Sequence, residues 1–312
     1  MIALCLPACS FAFDLQGHRG ARGLAPENTL AAFSTALRTG VTTLELDVGV
    51  TADGVVVISH DPYLNPAFTR DANGQWLTGT RGPLIRSLTY AQLQAYDVGR
   101  INPASSYAGQ FATQQSVDGQ RIPALAMLFD LVKSAGADKV GFNIETKLNP
   151  TAPDDTVSPE VMTRALLAVV RAAGMTQRVT VQSFDWRSLK LVQQLEPQMS
   201  TACLSVQSAT GDTLRDGQWT AGLKLADHGS VPQLVKTAGC SIWSPNAPAL
   251  TSDLVRRAHA LGLTVLPWTV NTPADMQRLI DWQVDGLITD YPDRLRRVMQ
   301  QGGMTLPAQA QP

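Results

Sequence analysis

The sequence predicts an α/β protein folded as one TIM-type (βα)8 barrel, with a small subdomain inserted after the second strand. Three observations predict it. Apolar, strand-like runs alternate with stretches of helical spacing almost to the C-terminus, and eight such runs stand out. The 312 residues, 44% of them hydrophobic, suffice for one large core of the usual barrel size. After the second run, a stretch of sixty residues loses this rhythm and is too long for a plain loop in a compact domain.

In chain order the runs are Phe13–Gly17, Thr43–Val48, Val140–Thr146, Val179–Phe184, Thr201–Val206, Cys240–Ser244, Leu263–Val270 and Gly286–Asp290. Helical spacing marks Thr29–Thr39, Ala124–Ala135, Pro159–Ala173, Trp186–Leu195, Ser252–Leu261, Pro273–Trp282 and Pro292–Gln300. Gly40, Gly174 and Gly262 each follow one of these and fit C-terminal caps. Asp185, Ser252 and Thr272 stand where a side chain can accept the first free N–H groups of a helix. This alternation makes a parallel barrel the first reading and a doubly wound open sheet the alternative.

The irregular stretch, Pro62–Arg121, is rich in Gly, Pro, Asn, Ser and Gln. Thr89–Tyr96 reads as a short helix within it, and Trp76, Leu84, Leu88, Leu93 and Tyr96 supply apolar surface to pack. The barrel domain is therefore read as residues 13–306 with the insertion at 62–121, followed by a polar tail at 307–312. Residues 1–12 (MIALCLPACSFA) are apolar and end Ser10-Phe11-Ala12, the small-x-small ending of a cleaved signal peptide, without the basic n-region. The expectation is a periplasmic or secreted protein, with a cytoplasmic location as the alternative.

Cleavage after Ala12 would remove Cys5 and Cys9 and leave Cys203 and Cys240, on the fifth and sixth runs. These two are read as buried free thiols, with a disulfide between neighbouring strands as the alternative. None of the four cysteines has zinc-site spacing. A net charge of −1 leaves no footprint for nucleic acid. No apolar run approaches the roughly 20 residues a membrane span requires, so stable membrane insertion is not expected either.

Catalytic groups of a βα barrel sit at the C-terminal ends of its strands. The first run ends Gly17-His18-Arg19-Gly20, the second carries Glu45-Leu46-Asp47, and the third Asn143-Ile144-Glu145-Thr146-Lys147. Strand alternation puts Glu45 and Asp47 on one face, and Glu145 and Lys147 likewise. Three carboxylates at one mouth repel unless a cation sits among them, and hard oxygen ligands favour Ca²⁺ or Mg²⁺. Asp53-Gly54 signals a hairpin turn; with those as its two loop residues, counting back places His60 opposite Asp47. His18 and His60 then form an acid–base pair whose ordinary titration range straddles neutrality. Arg19 and Lys147 suit phosphate oxygens, the plainer reading of each being a salt bridge to a neighbouring carboxylate. His228, in a polar loop, and His259, in a helical stretch, are read as structural.

These residues fall in strings that resemble the glycerophosphodiester phosphodiesterase family, in its long-insert, often exported branch. The strings are HRG at 18–20, PENT at 26–29, ELDV at 45–48, DGVVVISHD at 53–61, NIETK at 143–147, QSF at 182–184, WTVN at 268–271 and DGLITDYP at 285–292. The expected PTL reads Pro123-Ala124-Leu125 here. The resemblance implies a TIM-barrel phosphodiesterase with one divalent cation held by Glu45, Asp47 and Glu145, and with His18 and His60 as general acid and base. It implies phosphate contacts from Arg19 and Lys147, and Trp268 as the wall against the glycerol carbons, an ordinary core Trp being the equal alternative. It further implies attack by the substrate's own 2-hydroxyl, giving a cyclic phosphate that water opens; direct water attack is the other route. Asn28 is read as a cap of the first helix and Glu27 as a support for Arg19 or a bound water.

The expected reaction splits a small-molecule glycerophosphodiester into glycerol-3-phosphate and an alcohol. Two rivals stand beside it. A lysophospholipid-directed phosphodiesterase would carry an exposed apolar rim near Phe68, Trp76 and Leu77. A non-catalytic binding protein would lack a histidine or an acid, and the sequence lacks neither.

Overall fold

The computed structural model describes residues 13–209 and 211–312. The proposed leader at 1–12 lies outside the described residues. Among those described, eight parallel strands form the wall: β1 Asp14–Gly17, β2 Thr43–Val50, β3 Gly141–Thr146, β4 Val179–Ser183, β5 Ser200–Ser205, β6 Ile242–Pro245, β7 Thr264–Val265 and β8 Gly286–Thr289. Their order is β7-β6-β5-β4-β3-β2-β1-β8. Three backbone bonds close the ring between its ends: Asp285 N to Val265 O (3.1 Å), Ile288 N to Pro267 O (3.1 Å) and Val270 N to Ile288 O (3.0 Å). The barrel reading holds, and the open sheet is excluded. The run expected at Leu263–Val270 shortens to two regular residues because Pro267 has no N–H to give to a ladder.

A helix follows each strand: Leu30–Thr39, Leu125–Ser134, Pro159–Ala172, Trp186–Leu195, Val231–Thr237, Ser252–Ala260, Pro273–Asp281 and Pro292–Gln301. Each turns one apolar stripe to the wall; in Pro159–Ala172 it is Met162, Leu166, Leu167 and Val170, at helical spacing. Val231–Thr237, capped by Ser230, escaped the sequence reading because it is only seven residues long. Gly40, Gly174 and Gly262 have left-handed backbone beyond their helices, as expected, and Asp185 and Thr272 cap. Two expected caps move by one residue. Thr251, not Ser252, accepts from Leu254 N, and Thr29, not Asn28, accepts from Ala32 N.

The hairpin after β2 corrects the expected register. Its loop has three residues, with Gly54 left-handed (φ 80°), and Thr51 N bonds Val55 O at 3.0 Å. Val48 therefore pairs with Ile58, and Asp47 lies opposite Ser59, whose N–H it accepts at 3.0 Å. His60 comes one residue later, past the end of the strand Val56–Ile58. Strand alternation no longer governs its side chain there.

The segment from 62 to 121 packs its own small cluster of Leu64, Ile85, Leu93 and Val98 against Val57 and Ile122. The expected helix at Thr89–Tyr96 contracts to Tyr90–Leu93, closed by a reciprocal Thr89–Gln92 capping box. Phe68 and Leu77 pack on the cluster, and the Arg70 guanidinium covers Trp76 at 5.5 Å. All three are half-buried, so none stands fully exposed as the rim of a lysolipid reading would require. Cys203 and Cys240 are joined in a disulfide with Cα atoms 5.9 Å apart, which overturns the expectation of free thiols. Cys203 is opposite Trp243, and Cys240 precedes β6 by two residues, outside the ladder, where the chain entering the strand brings it against β5. Among the described residues no helix is long and apolar enough to cross a membrane.

Candidate active site

His18 and Arg19 leave β1 on a turn so tight that a Cβ on Gly17 would stand 2.1 Å from Gly20 O. Arg19 adopts a left-handed backbone (φ 49°), which aims its N–H at Glu45 Oε2, 2.8 Å away. The register Glu45↔Asn143 and Asp47↔Glu145 sets the acids of β2 and β3 side by side. Below them lies a polar layer inside the barrel. Asn143 Nδ2 donates to Gln16 Oε1 (2.9 Å) and Gln182 Oε1 (3.0 Å), and Gln182 Nε2 donates to Glu45 Oε1 (2.7 Å).

Glu45, Asp47 and Glu145 are buried, and each offers an oxygen within 4.8 Å of the others. Burial, then the charge of Asp47, drives Glu45 well above the ordinary carboxylate range. Burial likewise pushes Glu145 up to about 7, against the pull of Lys147. Asp47 is buried too, but His60, Arg19 and Lys147 hold it far below its usual value. Asp47 Oδ1 is buried without a hydrogen-bond donor. An all-oxygen cluster too crowded to ionise alone, with one buried oxygen lacking a hydrogen-bond donor, fits a hard divalent cation.

Each histidine is held by an aspartate through Nδ1. His18 Nδ1 lies 2.6 Å from Asp290 Oδ1, and His60 Nδ1 lies 3.0 Å from Asp61 Oδ1. Burial, then the charge of Arg22, lowers His18 to about 4, while burial, Arg19 and Lys147 lower His60. Both imidazoles are therefore neutral near pH 7, with Nδ1–H donating a hydrogen bond to the aspartate and Nε2 left to accept. His18 Nε2 stands 3.9 Å from Glu45 Oε2.

The two cations take up the salt bridges foreseen as their plainer reading. Arg19 Nη1 donates to Glu27 Oε1 at 2.6 Å, as expected of Glu27, and Arg19 Nε lies 3.3 Å from Asp47 Oδ2. Lys147 Nζ lies 2.8 Å from Glu145 Oε1 and 3.7 Å from Asp47 Oδ1. Asn28, freed from capping, donates to Asp47 Oδ2 at 2.9 Å. Beside this cluster a cavity of about 200 Å³ is lined by His60, Glu145, Lys147, Asp155, Phe184 and Trp219. Trp268 stands edge-on to Phe184, ring centres 5.4 Å apart, with its Nε1–H fixed on Ser244 O at 3.0 Å. His228 and His259 lie outside the cluster; His259 Nε2 is 2.9 Å from Asp285, at the opposite end of β8.

The sequence reading missed Asp290, Asp61, Arg22, Tyr107 and Gln182. Asp290 and Gln182 had a usable signal, since both are polar residues at or near the C-terminal end of a strand. Arg22 and Tyr107 had none, because long-range packing alone brings them in.

Buried acids fit for a divalent cation, paired with two aspartate-held imidazoles and two cations at a barrel's C-terminal mouth, place the protein among the phosphoric diester hydrolases. Residues 18–294 match the Glycerophosphoryl diester phosphodiesterase family, and the chain belongs to it. It is 30% identical over 285 residues to the glycerophosphodiester phosphodiesterase of Bacillus subtilis (strain 168), covering 90% of this chain and 84% of that one. A crystal structure from Silicibacter pomeroyi DSS-3, assigned to the glycerophosphoryl diester phosphodiesterases, superposes with TM-score 0.84 at 37% identity, over 95% of this chain and 96% of the other. The fold also matches an Oleispira antarctica phosphodiesterase, solved with the product sn-glycerol-3-phosphate, with TM-score 0.67 at 23% identity over 93% and 98% of the two chains.

Proposed function

We propose that this hydrolase splits glycerophosphodiesters into glycerol-3-phosphate and an alcohol, with Ca²⁺ or Mg²⁺ as cofactor. The observation that carries this is the convergence of Glu45, Asp47 and Glu145 beside His18 and His60, with Arg19 and Lys147 against the same carboxylates. Glu45, Asp47 and Glu145 would hold the cation, which when bound supplies positive charge against the phosphate oxygens. Arg19 and Lys147 then face the phosphate, and Arg19's planar fork suits two of its oxygens. The two histidines divide the proton work. One Nε2 takes the proton of the substrate's attacking 2-hydroxyl as its oxygen bonds phosphorus. The other imidazole, protonated in the complex, gives its proton to the alcohol oxygen as the old P–O bond breaks. In a second step the imidazole just left neutral takes a proton from the water that opens the resulting cyclic phosphate to glycerol-3-phosphate, and the first imidazole protonates the departing 2-oxygen. Asp290 and Asp61 fix the tautomers this division needs. Trp268, locked against Phe184, serves as the wall for the glycerol carbons.

An exported location is part of the same proposal, and the Cys203–Cys240 disulfide supports it. The test is glycerol-3-phosphate release from a panel of glycerophosphodiesters. Head-group alcohol released only from lysophospholipid vesicles, with no glycerol-3-phosphate from any deacylated diester, would overturn the reading.

A further inference from the structure

We propose that Tyr107, supplied by the inserted segment, is a positioning residue that ties Arg19 and His18 into one hydrogen-bonded frame. The inference deepens the phosphodiesterase reading and rests on it. Five contacts make the frame. Arg19 Nη1 donates to Glu27 Oε1 at 2.6 Å. The other oxygen of Glu27 accepts the Tyr107 hydroxyl. That hydroxyl in turn accepts Arg22 Nη1 at 3.4 Å. Arg22 grips Asp290 with Nε (2.7 Å) and Nη2 (3.1 Å), and Asp290 Oδ1 holds His18 Nδ1 at 2.6 Å. Tyr107 is thus the one bridge in this chain of contacts that belongs neither to the barrel nor to its β1 loop.

The surroundings show that the ring is placed and the hydroxyl aimed. Phe68 and Phe111 flank the ring, with centres 5.9 and 5.0 Å away, and the Arg22 guanidinium lies 4.6 Å over Phe111. Three further bonds pin the same stretch to the β1 loop: Thr113 Oγ1 to Gly23 O (2.8 Å), Gln114 Nε2 to Arg22 O (2.7 Å) and Gln115 N to Leu24 O (2.9 Å). Burial and the charge of Glu27 push the phenol well above its ordinary range, so it donates to the carboxylate. Glu27 faces two guanidinium groups. With one oxygen held by Tyr107, the other faces Arg19, so the hydroxyl helps fix the carboxylate on which Arg19 rests, alongside the Arg19 Nε contact to Asp47 Oδ2 at 3.3 Å. Without the hydroxyl, Glu27 is free to turn toward Arg22, and Arg19 and Asp290 lose their fixed spacing.

The test uses the full chain loaded with metal, with Tyr107→Phe, which keeps the ring and deletes the hydroxyl. Affinity for sn-glycerol-3-phosphate, measured by calorimetry, should fall ~10-fold, the scale of one hydrogen bond to a charged group. The kcat/KM for sn-glycero-3-phosphocholine should fall with it, at an unchanged melting temperature. In a Glu27→Gln background Tyr107→Phe should add nothing, because the two act through one contact. Wild-type product affinity in Tyr107→Phe overturns the proposal, as does full additivity with Glu27→Gln, or an activity loss that only follows a lowered melting temperature. If the wild type hydrolyses no diester yet binds the product more tightly than Tyr107→Phe does, the frame stands and the phosphodiesterase reading falls.

Discussion

Asp290 Oδ1 lies 2.6 Å from His18 Nδ1, joining the C-terminal end of β8 to that of β1 across 272 positions of sequence. The pair fixes which imidazole nitrogen carries the proton. Asp290→Asn keeps the size but removes the charge that holds this tautomer. Its kcat should fall by roughly 10–100-fold, the usual effect of losing a carboxylate that orients a working histidine. Metal content should not change. A variant with the wild-type kcat would show that His18 needs no such partner.

The same aspartate predicts an acid limb in stability. Burial alone would raise Asp290, but the His18 and Arg22 N–H groups facing it hold it well below the ordinary range. A depressed folded pKa contributes stability that is fully present above the unfolded value, about 4 for an aspartate. That stability is lost as pH falls through the folded value. Melting temperature should therefore decline below about pH 4, and less steeply in Asp290→Asn than in wild type. Parallel declines in the two proteins would refute the assignment.

For His18 and His60, alanine should lower kcat by ~10²-fold or more, the scale of a positioned proton-transfer group. His228→Ala and His259→Ala are the controls. His259 braces Asp285 beyond the N-terminal end of β8, so its loss should register in melting temperature and not in rate. Equal rate losses in all four variants would remove the distinction.

Much of this site was legible because it rests on the local rule that strand ends carry the chemistry. Glu45, Asp47 and Glu145 follow from alternation along two strands, and their register confirmed which residues meet. His60 was placed beside them for the wrong reason. The hairpin loop holds three residues, not two, and His60 reaches the mouth from beyond the strand. Thr29 displaced Asn28 as a cap because a second demand, the hydrogen bond to Asp47, claims the asparagine side chain. Tyr107 and Arg22 were illegible for a different reason. Their partners lie 80 and 268 positions away, and no period or motif encodes such contacts.

The acid cluster predicts dependence on a divalent cation. Excess chelator should abolish glycerol-3-phosphate release, and Mg²⁺ or Ca²⁺ should restore it. Glu145→Gln removes one charge from the cluster and should weaken metal binding, read by calorimetry on the chelated protein. It also turns the 2.8 Å ion pair with Lys147 into a neutral contact, so binding is the cleaner measure than rate. Full activity in excess chelator would sink the metal assignment.

The Cys203–Cys240 bond predicts a stability effect separable from catalysis. It joins β5 to the residue two before β6 and closes a loop of sequence separation 37. Both residues are buried, and neither belongs to the acid cluster or the histidine pairs. In the chain-entropy account, a loop of this size is worth about 3–4 kcal/mol through restriction of the unfolded chain. For a domain this large that corresponds to roughly 5–10 °C in melting temperature. Cys203→Ala/Cys240→Ala, or reduction of the wild type, should lower the midpoint by that amount and leave kcat at low temperature unchanged. Peptide mass analysis after alkylation checks the bond itself. Without reductant the peptides carrying Cys203 and Cys240 should be linked and unlabelled, and with reductant each should take one label. Two labelled cysteines in the unreduced protein would show that the thiols are free and would withdraw the support the bond lends to export.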